Sequence, residues 1–311
     1  AVIRGRRWFA QRVPDDAVAV IPNHYTIRAI DPADTANFLG SPDIVAYAKA
    51  NGWYDEAKDG PFDFKKAFFR GGGSDLVMDR NTLRHWRGLS LLTGKTWEIA
   101  DTYPFSVKPA KPVTPAALMS LLRDHYEGTE YDATFGHTSG TPNATKYRTI
   151  CTRSTINAFV VSLNAAKPDL LSVSGWLAMG KPDTTVFLPV YYGIDALPAG
   201  AGMGADTHDD ATMYKQHFED AEFQAGKDGL FNTKVLALEK LAEADYPRMR
   251  PTIDAELGPL EKSLVAGQAK FEAGIAALHA KDKAEAARRL TAYVAAAFEK
   301  AAALTDALLK K

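Results

Sequence analysis

The strongest constraint on the fold lies at the C-terminal end. Leu257, Leu260, Leu264, Phe271, Ile275 and Leu278 recur at three- and four-residue spacing, with polar Gln268 in one slot. After a break near Asp282 the pattern resumes with Leu290, Tyr293, Ala297, Ala301, Leu304 and Leu308. That period gathers apolar side chains on one face of a helix, and Glu285 is placed for a capping box at the break. The pattern predicts an antiparallel helical hairpin in which alanines permit close packing. Such an element suits a structural bracket or an oligomerisation surface.

The period is different upstream. Residues 7–12 form a short mixed run, Pro14-Asp15-Asp16 a turn, and residues 17–21 a continuous apolar run. Together they predict a β-hairpin, with a third strand at 25–30. Helices are predicted after Ser41-Pro42, around Leu83, Trp86, Leu89 and Leu92, and from Thr114-Pro115 through His125 to a stop at Gly128. The triplet Gly71-Gly72-Gly73 loosens the chain, and residues 134–146 read as an exposed loop. Strands are predicted again at 147–152, 156–163 and 184–192. A Gly/Pro-rich stretch to Gly204 then leads into the helical tail.

Composition excludes several classes. The 37 basic and 38 acidic residues leave a net charge of −1, which gives no nucleic-acid footprint. One cysteine rules out an internal disulfide framework and a Cys-rich zinc site. No apolar run approaches a membrane span. Motif reading adds no catalytic site. Thr93-Gly94-Lys95-Thr96 has Leu89 where a phosphate loop needs glycine, and Gly200-Ala201-Gly202-Met203-Gly204 is misspaced for a dinucleotide fingerprint. Ser172-Val173-Ser174-Gly175 lacks the leading glycine of a nucleophile elbow. His208-Asp209-Asp210 with His217 reads as a solvated helix face, so no metal and no cofactor is expected. Asn143-Ala144-Thr145 fits a glycosylation sequon, a pattern too common to carry weight. Cys151, in a predicted strand with no histidine near it in sequence, reads as a small buried residue.

Several ordered blocks are less ordinary. They are Trp8-Phe9-Ala10-Gln11-Arg12-Val13-Pro14-Asp15-Asp16, Asn51-Gly52-Trp53-Tyr54-Asp55, Tyr103-Pro104-Phe105-Ser106-Val107, Asp124-His125-Tyr126-Glu127-Gly128-Thr129-Glu130-Tyr131-Asp132 and Gly175-Trp176-Leu177-Ala178-Met179-Gly180-Lys181-Pro182. In this order, from about residue 6 to 220, the chain resembles the cysteine dipeptidases of the N-terminal-nucleophile type, a family that includes the secernins. The resemblance implies an α+β fold, an αββα sandwich incomplete at its N-terminus. It would occupy residues 1–225, with a helical extension over 226–311. It also implies dipeptide hydrolysis by a mature N-terminal cysteine whose α-amino group serves as base. Ala1 offers no nucleophile and Cys151 is interior, so the nucleophile is expected on an upstream segment of the same protein. Beyond the dipeptide and that segment, the expected partners are at most a second copy of the chain, with no nucleic acid and no membrane. A nucleophile-less, secernin-like scaffold and an acylase-type amidase are the alternatives.

Site candidates follow from the resemblance. In related acylases an asparagine ending a comparable strand supplies an oxyanion donor, which points to Asn23. Leu83-Arg84-His85-Trp86-Arg87 resembles the acylase element whose first arginine lies beside the nucleophile, which points to Arg84. A dipeptidase must read an ammonium and a carboxylate, and His125, Glu130 and Asp132 are the candidates for substrate binding. Each also has a plain reading: Asn23 as a turn residue, Arg84 as a surface cation, and the 124–132 block as a helix-end turn network.

Overall fold

The computed structural model describes residues 2–3, 7–69, 80–100, 102–134, 141–143, 147–202, 211, 214 and 229–311. The glycine triplet at 71–73, the His208/His217 group, most of the 134–146 loop and part of the sequon lie outside the described residues. The chain divides into two compact units: Ala1–Val113 with Lys146–Thr149, and Thr114–Thr145 with Ile150–Lys311. Both helices and small antiparallel sheets are present, an α+β composition. Among the described residues no helix is long and apolar enough to cross a membrane.

The first unit holds an antiparallel sheet of β1 (Val2–Ile3), β2 (Arg7–Gln11) and β3 (Phe38–Gly40), with β2 central. Four helices follow: α1 (Ile44–Ala50), α2 (Glu56–Asp59), α3 (Phe64–Phe68) and α4 (Arg80–Thr93). Phe9, Ile27, Ile44 and Phe64 form the buried centre of an aromatic-rich core. The predicted hairpin is not formed. β2 pairs with β1 and β3, and residues 17–21 contribute only one bridge, Val18 to Val107, with reciprocal 2.9 Å hydrogen bonds. The apolar run is used otherwise: Val20 lies against α4 at Gly88, where an added Cβ would come within 2.7 Å of its Cγ1. Residues 25–30 are likewise irregular, fixed by Phe64 N–H on the Arg28 carbonyl and Lys65 N–H on that of Ile27.

The second unit begins with α5 (Pro115–Leu122), whose Thr114 hydroxyl caps the Ala117 N–H. Its sheet, in the order β4 (Asn157–Leu163), β5 (Val173–Met179), β6 (Leu188–Tyr191), is antiparallel, with Val160 opposite Trp176 and Trp176 opposite Pro189. The central strand β5 is one that composition conceals, since Ser174 and Gly175 interrupt its apolar residues. A single turn, α6 (Asp169–Ser172), precedes it. Met119 of α5 packs with Ala158, Val160, Trp176 and Ala178 of the sheet.

The predicted helical hairpin is present as α8 (Tyr246–His279) and α9 (Lys283–Leu308), preceded by α7 (Phe231–Ala244). Asp282 caps α9 by accepting from the Glu285 N–H. These helices share the largest core cluster with Leu170, Leu171, Leu188 and Tyr191, so the tail and the β6 end of the sheet form one hydrophobic interior. Two strand predictions need correction. Residues 147–152 form no strand, and the regular part of 184–192 shrinks to β6. The helix expected to run to Gly128 stops at Leu122, because the next residues turn to make the site described below.

Candidate functional site

In the first unit, Asn23 lies just beyond the 17–21 run and lines a cleft of about 710 Å³ with His24, Tyr25, Phe68, Phe69 and Phe105. Arg84 reaches it from α4: its Nη2 donates to Asn23 Oδ1 at 2.7 Å and to Asn81 Oδ1 at 2.7 Å. Asn81 is three residues before Arg84 and therefore shares its helix face. The guanidinium is donor-only, so it fixes the orientation of the Asn23 amide with oxygen toward Arg84. The Asn23 Nδ2 donor is thereby turned away from the cation. The resemblance names Asn23 and Arg84 separately, and the fold brings them into hydrogen-bond contact.

In the second unit, Arg123 caps α5 and anchors a buried loop. Its Nε donates to the Pro182 carbonyl at 2.6 Å, and its terminal nitrogens pair with both Glu261 oxygens of α8 at 2.9 and 2.7 Å. Glu261 also accepts the Phe187 N–H at 2.7 Å. At the other end of the loop, Glu239 of α7 takes the Lys181 ammonium at 2.6 Å and the Lys181 backbone N–H. Gly180 has a positive φ of 77°, and a Cβ there would run into the Glu239 carboxylate. These clamps hold Asp183 in place.

Asp183 is 1% exposed and meets His125, Cys151, Asn143 and Tyr246. His125 Nε2 is 3.3 Å from Asp183 Oδ2 and 3.0 Å from Asn143 Oδ1. The Cys151 thiol donates to Asp183 Oδ1 at 3.3 Å, and the Tyr246 hydroxyl donates to Oδ2 at 3.2 Å. Tyr126, fully buried with φ +70°, makes the turn that folds Glu127 back: the Glu127 carboxylate accepts from the His125 backbone N–H at 2.6 Å and lies 3.1 Å from His125 Nδ1. Left-handed backbone costs a bulky residue about 1–2 kcal/mol, which the surrounding network offsets. A cavity of about 140 Å³ opens beside the cluster, lined by His125, Glu127, Asp183, Tyr246 and Arg250 among others.

The electrostatics follow from this packing. Burial alone would push His125 down, but hydrogen bonds to Asp183, Cys151 and Glu127 and the Asp183 charge push it up to about 12. Burial would raise Asp183, yet His125 and the Arg250 charge hold it at about 2. Burial and the Asp183 charge push the Cys151 thiol up to about 11, so it is a neutral donor and no ready nucleophile.

Of the other expected residues, Asp132 is held in its own turn. Its carboxylate accepts from the Gly128 and Thr134 N–H groups at 2.8 Å each and from the Thr134 hydroxyl at 2.6 Å. Glu130 is exposed on the same turn. Neither is hydrogen-bonded to His125. Sequence reading missed Asn143, Cys151, Asp183 and Tyr246 as a group. Their partners lie 18 to 63 residues apart along the chain, and only the dense 124–132 block hinted at them.

Beside the buried cluster and the asparagine–arginine pair on its cleft, sequence comparison gives the family of the chain. The model of peptidase family C69 matches residues 1–235, and the chain belongs to that family. A probable dipeptidase of Salmonella dublin is 30% identical over 203 residues, which are 64% of this chain and 45% of that protein. A dipeptidase of Bifidobacterium longum (strain NCC 2705) is 26% identical over 257 residues, 78% of this chain and 47% of that protein. Dipeptidase A of Lactobacillus helveticus is 26% identical over 206 residues, 63% and 41% respectively. The chain spans a little under half the length of these curated relatives. The match stops within α7, so Tyr246, Arg250 and Glu261, supplied by α8, lie beyond it.

Proposed function

We propose that this chain supplies the oxyanion-stabilising and substrate-binding part of a cysteine dipeptidase. The observation that carries the reading is the Arg84–Asn23 hydrogen bond at the cleft. An amide whose oxygen is held by a guanidinium presents its N–H outward and is polarised toward donation. That is what a developing oxyanion needs from a preorganised partner. On this reading the nucleophile is a cysteine in an upstream segment of the same protein, and Cys151, whose thiol is buried and neutral, does not take that role. Glu130, exposed on its turn, is the carboxylate suited to a substrate ammonium.

The finer fold reading, an αββα sandwich of the N-terminal-nucleophile type, belongs to the same proposal. It requires a second sheet over one face of the first. β4 presents Phe159, Val161 and Leu163 outward, 57%, 56% and 77% exposed, as an apolar row for such a layer.

The test is dipeptide hydrolysis by the chain joined to the segment encoded directly upstream. Asn23→Ala should lower kcat about 10²–10³-fold with little change in KM, and Arg84→Lys should fall between wild type and that variant. Dipeptidase activity that survives Asn23→Ala would sink the assigned role, and a strong preference for acyl amides would replace the dipeptide as substrate.

A further inference from the structure

His125, Cys151 and Asp183 are all buried, and one donor atom from each lies within 4.8 Å of the others, the one such group among the described residues. We propose that they bind a single zinc-class divalent transition-metal ion, independently of the peptidase reading. Zinc takes imidazole nitrogen, thiolate and carboxylate at about 2.0–2.3 Å in a tetrahedron, which sets neighbouring donors roughly 3.2–3.8 Å apart. His125 Nε2 lies 3.3 Å from Asp183 Oδ2 and Cys151 Sγ 3.3 Å from Oδ1, so each flanks one carboxylate oxygen at about that spacing, and a one-oxygen ligand requires the carboxylate to turn. The thiolate selects against magnesium and calcium, which prefer oxygen donors.

A second observation points the same way. The remaining nitrogen of a metal-bound histidine is ordinarily held by a carboxylate or carbonyl, which fixes the ring. Here Nδ1 of His125 is 3.1 Å from Glu127 Oε1, the two residues flanking the left-handed Tyr126. Asp183 is likewise steadied by Asn143 Nδ2 and the Tyr246 hydroxyl, each at 3.2 Å. The cavity of about 140 Å³ reaches both His125 and Asp183 and has room for a water as fourth ligand.

The exchange balances in atoms and charge. Without the ion, His125 is an imidazolium, Asp183 a carboxylate and Cys151 a thiol, for a net charge of zero. Bonds from the ion form to Nε2, Sγ and a carboxylate oxygen, and the Nε2 and Sγ protons leave to solvent. Neutral imidazole, thiolate, carboxylate and a dication again sum to zero. A low-dielectric interior therefore accepts the ion without a new unpaired charge, and His125 keeps its Nδ1 proton on Glu127.

The probe is Co²⁺ added to the metal-stripped 311-residue chain. One equivalent should produce a near-ultraviolet thiolate-to-cobalt band with the intense visible bands of a tetrahedral ion, and Zn²⁺ should abolish both. Two protons should be released per ion, so affinity should tighten by up to about 100-fold per pH unit near neutrality. Cys151→Ser should lose the thiolate band, whereas Glu127→Gln, which removes no ligand, should keep it and weaken binding about 10–100-fold. Circular dichroism checks that both variants fold, and the wild-type titration decides even if they do not. No band at one equivalent, or a band that persists in folded Cys151→Ser, overturns the site.

Discussion

Two histidines, one in each compact unit, are almost equally buried, yet one is driven toward the neutral ring and the other toward the cation. His85, 3% exposed, faces His24 at 3.5 Å and the Tyr103 ring, and its Nε2 has no hydrogen-bond partner among the described residues. Burial pushes it down to about 3, helped by the charges of His24 and Lys65. His125, 1% exposed, feels the same burial but has Asp183 and Glu127 within reach, and stays protonated. Burial acts in the same direction on both, so the anion within hydrogen-bonding distance decides the outcome. The first unit tolerates a buried neutral ring; the second is organised around a buried ion pair.

The largest expected effect removes that anion. Asp183→Asn keeps the shape and takes away the charge that His125, the Cys151 thiol and the Tyr246 hydroxyl all address. Breaking one side of a buried pair costs about 3–5 kcal/mol. Hydrogen exchange should show that loss in peptides of the second unit, including 157–163 and 173–179, and leave helix 80–93 unchanged. A loss below about 1 kcal/mol would mean that the pair is dispensable and that the contrast with His85 is accidental.

pH should separate the units next. His85 has a folded value below its ordinary 6.5, so its contribution is present above 6.5 and is lost as pH falls toward about 3. His125 has a raised value, so its contribution is complete below 6.5 and is lost as pH rises toward about 12. Each slope is at most about 1.4 kcal/mol per pH unit. In the second unit Glu127 and Asp183 add an acid loss only below their ordinary 4.5 and 3.8, as both are held near 2. Moving from pH 7 to 5 should therefore weaken exchange protection in the first unit and spare the second, and pH 9 should do the reverse. A parallel change in both, after correction for intrinsic exchange rates, would refute the assignment.

How far the sequence discloses this contrast depends on the range of the contacts involved. The tail helices, α4 and β4 follow from period and local caps, because neighbouring residues determine them. The 17–21 run looks like a strand by composition, yet its packing against Gly88 and its single bridge to Val107 are tertiary choices that no local pattern encodes. The same holds at the site. Asn23 and Arg84 could be named only through family resemblance. Cys151 and Asp183, 32 residues apart, could not be joined to His125 by spacing at all.

Gly88 offers a test in the first unit at the next lower magnitude. Gly88→Ala places a Cβ 2.7 Å from Val20 Cγ1 and should cost about 1–3 kcal/mol by overpacking. Val20→Ala in the same chain should recover part of that loss, because it vacates the contact. If the double variant is no more stable than the sum of the two single changes, as read by urea unfolding, Val20 is not what holds this run against α4.

The smallest effect tests whether the second unit's ion network depends on the start of α5 or only on its end. Thr114 accepts the Ala117 N–H at 3.2 Å, and Thr114→Ala should cost about 1 kcal/mol, with Thr114→Ser nearly neutral. Fraying should stay within the first turn. Arg123, at the other end, is independently fixed by the Pro182 carbonyl and both Glu261 oxygens. The alkaline loss assigned to His125 should therefore begin at the same pH in Thr114→Ala as in wild type. A shifted onset would show that the clamp on the Asp183 loop transmits strain along the whole helix. The contrast between the two histidines would then rest on α5 as much as on the anion.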